Sequence, residues 1–282
     1  MKLFDIWWHK WLGRPYALSV QETGKGKPLV LLHGIASSHV KWRPLIRDLQ
    51  GDPWWIIAPD LLGFGDSPKP RWNDYTVQEH ARMVLALLKR KKVRGPVTIV
   101  GHSMGCLVAA HIAATRPGFV ERLVLHEPPL FGEPADYPLY SKRSSRYLKF
   151  FEYLASHPQL MVTYNALAWR IVRKTLGLYL DEEQWPPFER SLRNTIMKQR
   201  AYGELQSLAV PTHIVHGRLD FVVIRTDLRS IFKSNKHITW HKVTDSHGVS
   251  KRTAKYLARL LNTPVIFSSA SERATRRRSR KL

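Results

Sequence analysis

The sequence predicts an α/β protein: a mostly parallel sheet flanked by helices and interrupted late in the chain by a helical insertion. Three observations carry this. Short apolar runs rich in β-branched residues alternate with helix-period segments, as in sheets covered on both faces. The alternation fails between residues 130 and 206, which hold several helical patterns and 13 aromatic side chains. At 282 residues with one cysteine, the chain is long enough for a full core and has no internal disulfide.

The strand-like runs are, in order, "YALSVQETG", "PLVLLHG", "WWIIAPD", "PVTIVGHS", "VERLVLHEP", "PTHIVHGRLD" and "HITWHKV". The first two read as neighbouring strands joined by the "GKGKP" turn. Helical periodicity covers 39–50, 76–92, 104–116, 225–233 and 249–262, the second with apolar residues at Val77, Ala81, Val84, Leu85 and Leu88. The expected organisation is a core in two parts, 1–129 and 207–266, a helical insertion at 130–206, and a disordered basic tail at 267–282 that is poor in apolar side chains.

Charge narrows the partners without fixing a fold. There are 45 Lys and Arg against 22 Asp and Glu, a formal charge of +23. The dense points, "KRKKVR" at 89–94 and "RATRRRSRKL" at 273–282, lack any recognition-helix, zinc-finger or RNA-binding pattern beside them, so no specific nucleic acid is expected. The tail predicts weak association with anionic membrane. Trp7, Trp8 and Trp11 beside His9 and Lys10 have the makeup of an interfacial anchor, but packing of these rings against the domain is the favoured expectation. The start lacks a secretory signal pattern, no apolar run spans a bilayer, and the lone Cys106 asks for no oxidising compartment; the expected location is the cytoplasm, peripheral at a membrane surface if the basic tail engages one.

The chemistry centres on Gly101-His102-Ser103-Met104-Gly105, a G-x-S-x-G between a strand and a helix. A serine on that sharp turn exposes its hydroxyl beside the helix N-terminus, where backbone N–H groups favour developing negative charge. It needs a base, and the base an orienting acid. Asp220 ends "HGRLD" and His247 lies in "DSHGVS" after the last strand, giving the order serine, acid, histidine. Glu127 after "LVLH" and Asp245, two residues before His247, are competing acids, and Asp60 is expected to order its own loop. Cys106 is expected to be buried. His213 and His216 face opposite sides of one strand, and no zinc-type spacing appears, so neither metal nor organic cofactor is implied.

These residues resemble the α/β-hydrolase superfamily over about residues 16–264. "LLHGIASS" at 31–38 is similar to its oxyanion loop, which implies that the Ile35 and Met104 N–H groups hold a tetrahedral oxyanion. "APDLLGFGDS" at 58–67 is similar to the strand and Gly-rich loop that follow, and the insertion sits where the family carries its cap. The resemblance implies a Ser103–Asp220–His247 triad acting on a small or medium carboxylic ester with an apolar acyl or alcohol part. Alternatives are hydrolysis of a carbon–carbon bond in meta-cleavage-type products, thioesterase or acyltransferase chemistry, and a ligand-binding receptor on this scaffold. Ser103 in the nucleophile position excludes haloalkane dehalogenase and epoxide hydrolase chemistry, which use Asp there.

Overall fold

The structure is a computed structural model that describes residues 3–131, 183–220 and 222–264, together with Lys149, Glu152, Tyr153, Ser156 and His157. The expected tail at 267–282 and most of the expected insertion lie outside the described residues.

All seven predicted strands form: β1 (Val20–Thr23), β2 (Lys27–Leu32), β3 (Trp54–Pro59), β4 (Val97–His102), β5 (Val120–His126), β6 (Thr212–Gly217) and β7 (Ile238–Val243). They make one sheet in the order β1-β3-β2-β4-β5-β6-β7, parallel except for β1. One expectation fails. β1 and β2 are not neighbours, because β1 pairs antiparallel with β3, which lies between them. The Gly-rich link passes across the start of β3: a Cβ on Gly24 would stand 2.2 Å from the Trp54 carbonyl oxygen, and one on Gly26 2.3 Å from that of Pro53. The glycines read as a hairpin turn are there for this close crossing.

The central strands bury both faces, and their side chains divide between two cores with the two-residue period of a strand. On β2, Val30 and Leu32 enter one core while Leu29 and Leu31 enter the other. The helices follow the same division. On the first side lie α2 (Val77–Arg90), α3 (Met104–Thr115), α5 (Ala201–Ser207) and α6 (Arg225–Ser234). On the second lie α1 (Arg43–Asp48), which continues the 3₁₀ turn His39–Trp42, and α7 (Lys251–Asn262). Sequence signals set their starts. Thr76 and Glu79 form a reciprocal capping box on α2, and the Ser250 hydroxyl accepts from the Arg252 and Thr253 amides at the head of α7.

Within the expected insertion the described elements besides α5 are α4 (Trp185–Ser191) and a π-helical turn (Leu192–Met197). They rest on the loop after β3: Arg190 donates to the Arg71 and Asn73 carbonyls, and Thr195 to that of Tyr75. No helix among the described residues is long and apolar enough to cross a membrane.

The N-terminal tryptophans do not pack against the domain. Residues 3–11 form a short helical segment on which Phe4, Trp7, Trp8 and Trp11 are 65%, 50%, 37% and 77% exposed. Apolar rings with basic neighbours look alike in sequence whether covered or bare.

The interior holds several uncharged histidines. Burial lowers the pKa of His33 and His126 to about 4 and of His80 to about 3, against 6.5 in an unfolded chain. Each therefore contributes stability above pH 6.5 that is lost as the pH falls toward 4, since the unfolded chain then binds protons the folded chain refuses. The thermal midpoint should drop steadily from pH 6.5 to 4; a flat midpoint over that window in a calorimetric series would contradict the assignment.

Candidate active site

Ser103 sits between β4 and α3 with φ 51° and ψ −122°, a conformation costly for a residue with a Cβ. Its flanking glycines are there because strand and helix touch. A Cβ on Gly101 would meet the Gly105 carbonyl at 2.6 Å, and one on Gly105 would meet the Leu32 carbonyl at 2.3 Å. The turn is pinned by the Ser103 amide, which donates to the His126 carbonyl at 3.0 Å.

The three residues expected to act together meet at the C-terminal edge of the sheet. His247 Nε2 lies 3.0 Å from Ser103 Oγ, and His247 Nδ1 lies 2.8 Å from Asp220 Oδ2. All three are buried. With the Nδ1 proton donated to Asp220, Nε2 is the acceptor for the serine hydroxyl. Asp220 Oδ1 accepts from the Val222 amide at 2.6 Å. Burial pushes the Asp220 carboxyl up, but hydrogen bonds from His247 and Glu127 outweigh it and hold the group ionised, below the usual carboxylate range.

The competing acids take other places. Asp245 accepts from the Ser246 amide and the Ser250 and Thr253 hydroxyls, so it braces the Ser250 cap of α7. Glu127, at φ 52° just after β5, accepts from the Gly217 amide at 2.6 Å and lies 3.0 Å from His216 Nδ1. Its carboxyl stands against that of Asp220; donor atoms of Glu127, His216 and Asp220 all lie within 4.8 Å of one another. Burial, then the neighbouring Asp220 carboxyl, pushes the Glu127 pKa far above the carboxylate range, which favours the neutral acid at Glu127 beside an ionised Asp220. This cluster is invisible in sequence spacing. Its lone pairs are already directed at His247, Val222 N–H and Gly217 N–H.

The "HGI" loop lies against the serine: a Cβ on Gly34 would be 3.1 Å from Ser103 Cβ and 3.0 Å from His102 Nδ1. Neutral His33 fixes this loop, its Nδ1 bonding the Gly34 carbonyl at 2.7 Å while Nε2 accepts from the Leu61 amide at 2.8 Å. Ile35 follows on that loop, and Met104 is the first residue of α3, whose opening amides have no intrahelical acceptor. Asp60 orders the neighbouring loop, taking the His39 and Asp66 amides. A Cβ on Gly65 would fall 2.2 Å from its carboxylate. Cys106 is buried with Sγ 3.2 Å from the Gly101 and His126 carbonyls, and burial raises its thiol pKa well above the ordinary value.

Two residues at the site escaped the sequence reading. His102 Nε2 donates to the His247 carbonyl at 2.7 Å and His126 Nε2 to that of Gly248 at 3.1 Å. They are register partners on β4 and β5, and together they hold the backbone that carries His247. Burial lowers the pKa of both, so each is a neutral ring with one proton to give. Their acceptors are backbone carbonyls, which leave no mark in a sequence.

A seven-stranded sheet with a serine on a strained strand–helix turn, facing a histidine and an acid from later loops, defines the α/β-hydrolase class of architecture. The family model of the alpha/beta hydrolase fold matches residues 27–247, and the chain belongs to that family. Among relatives, a probable lysophospholipase of Arabidopsis thaliana, BODYGUARD 4, is 36% identical over 114 residues, 40% of this chain and 27% of the relative. An uncharacterized protein of Mycobacterium tuberculosis is 39% identical over 110 residues, 39% of this chain and 31% of the relative. The matched stretch thus spans about a quarter to a third of these relatives' length. Of solved structures, a putative non-heme bromoperoxidase of M. tuberculosis, BpoC, superposes with TM-score 0.69 at 19% identity, covering 88% of this chain and 95% of that one. The enol-lactonase of Burkholderia xenovorans LB400 gives 0.65 at 17% identity, covering 88% and 98%. At these identities the structural likeness concerns the fold.

Proposed function

We propose that this hydrolase cleaves a small or medium carboxylic ester through an acyl-enzyme, with Ser103 as nucleophile, His247 as general base and acid, and Asp220 as the orienting carboxylate. The observation that carries the reading is the unbroken line of hydrogen bonds from Ser103 Oγ through His247 to Asp220, starting at a residue held in a strained backbone conformation. Ser103 Oγ attacks the acyl carbon as its proton passes to His247 Nε2, and the carbonyl oxygen becomes an oxyanion facing the Ile35 and Met104 amides. Collapse expels the alcohol, which takes the proton from His247. Water, losing a proton to the same nitrogen, then releases the acid. Asp220 keeps the imidazole in the Nδ1–H tautomer and stabilises the imidazolium.

The substrate part follows from composition. Residues 130–206 act as a cap in this reading, and their 13 aromatic side chains favour an apolar acyl or alcohol group. The relatives named as probable lysophospholipases and the structural neighbour named as an enol-lactonase agree with ester chemistry. A fluorophosphonate probe should label the wild-type chain and not Ser103→Ala, and the same pair run on esters and thioesters of graded length should show turnover by wild type alone. No labelling, or labelling that survives Ser103→Ala, overturns the reading.

A further inference from the structure

The exposed rings of residues 4–14 form one patch. Phe4 stacks on Trp8 with ring centres 5.8 Å apart and meets Trp7 at 5.9 Å, Trp7 and Trp8 are 6.1 Å apart, and Trp11 and Leu12 continue the surface. The segment is mounted on the domain. His9 stacks on the buried Tyr16 ring at 3.6 Å and bonds the Arg14 carbonyl at 2.7 Å, and Arg82 of α2 donates to the Gly13 carbonyl at 2.7 Å.

Charge surrounds the rings on one side of neutrality. Lys10 and Arg14 are exposed within the segment, the Arg14 guanidinium standing 5.6 Å from the Trp8 ring centre, and Arg82, Lys89 and Arg90 are exposed on α2 beneath it. Asp5 is the only acidic residue of 3–14. A basic, tryptophan-rich surface matches the headgroup region of an anionic bilayer, where amphipathic rings settle and cations meet lipid phosphates. A second copy of the chain would bring the two cationic rims together.

Position gives the patch a purpose. Because β1 is antiparallel, its first residue, Val20, pairs with Pro59 at the end of β3, so residues 3–19 enter the sheet at the edge that carries Ser103, Asp220 and His247. Tyr16 and Trp72, on the loop after β3, have ring centres 6.2 Å apart.

We infer that residues 4–14 are a lipid-facing anchor that lays the catalytic edge of the sheet on an anionic phospholipid surface, so that the ester reaching Ser103 is an amphiphile drawn from that surface. The substrate half of this inference rests on the ester-hydrolase reading; the docking half does not. Vesicle flotation with full-length Ser103→Ala protein separates them, using phosphatidylcholine vesicles with and without phosphatidylserine. The protein should float with the anionic vesicles and hardly with the neutral ones. Adding Trp7→Ser, Trp8→Ser and Trp11→Ser, which keep every charge, should cut partitioning roughly tenfold or more with the thermal midpoint unchanged. With Ser103 restored, hydrolysis of a monoacyl phospholipid presented in those vesicles should fall by a similar factor. Equal flotation of the triple-tryptophan variant would overturn the inference in favour of charge alone. So would a concentration-dependent dimer abolished by the same substitutions, which assigns the patch to a second copy. Flotation as expected, combined with wild-type protein that no fluorophosphonate labels, would sink the hydrolase reading and leave the docking surface standing.

Discussion

Asp220→Asn should lower kcat on a soluble ester by about three to four orders of magnitude while leaving the folded chain intact. The amide keeps the shape of the carboxylate but presents either a neutral carbonyl or an N–H to His247 Nδ1. In the second case the imidazole takes the wrong tautomer, and in both the imidazolium loses its counter-charge. Glu127 cannot stand in. Its carboxyl oxygens are engaged by Gly217 N–H and His216, whereas His247 Nδ1 is held by Asp220. Glu127→Gln supplies the same donor and acceptor as the neutral acid, so its kcat should stay within a few-fold of wild type. Steady-state rates for the two variants, with circular dichroism to confirm folding, decide the matter. The acid role passes to Glu127 if Asp220→Asn keeps more than about a tenth of wild-type activity while Glu127→Gln loses it.

Gly105→Val should be the most damaging single change to the fold near the site. Its Cβ would lie 2.3 Å from the Leu32 carbonyl and 2.6 Å from that of His33, both backbone atoms that no rotamer change can move. Helix α3 must then separate from β2, at a cost of about 3 kcal/mol or more, which lowers the thermal midpoint by roughly 6 to 12 °C in a domain of this size. The displaced backbone leads directly into the Gly34–Ile35 turn, so ester hydrolysis should fall further than stability alone explains. Gly203→Ala is the matched control: nothing stands within 4 Å of the added Cβ, and removing a glycine from α5 should raise the midpoint slightly. A Gly105→Val midpoint equal to that of Gly203→Ala would refute the packing argument.

Much of this molecule was legible before any coordinate. Seven strands and five helices follow from local periodicity, because each strand of the sheet is a short apolar run and each flanking helix shows one apolar face. The triad candidates were legible because this architecture places each at the end of a strand pattern, at Ser103, Asp220 and His247, where turn residues interrupt the apolar run. Pairing was not legible. Whether β1 lies beside β2 or beside β3 depends on contacts more than thirty residues apart, and the glycines at 24 and 26 serve a crossing as readily as a hairpin. Also hidden were His102 and His126, which hold His247 through backbone carbonyls, and the meeting of Glu127 with Asp220 across 93 positions. Residues 130–206 contain the least legible part, since helices of similar composition can be packed in many ways.

In the proposed mechanism, the neutral acid favoured at Glu127 beside an ionised Asp220 also bears on the field beneath Ser103. With that proton in place the carboxyl pair carries one negative charge, which in that mechanism the imidazolium of His247 would cancel once the serine proton has moved. Without it, an uncancelled anion would sit beneath the very place where the proposed oxyanion gathers charge, and would repel both it and the carboxylate product. A chain with a formal charge of +23 would in that mechanism keep the ground beneath Ser103 neutral as charge develops above it.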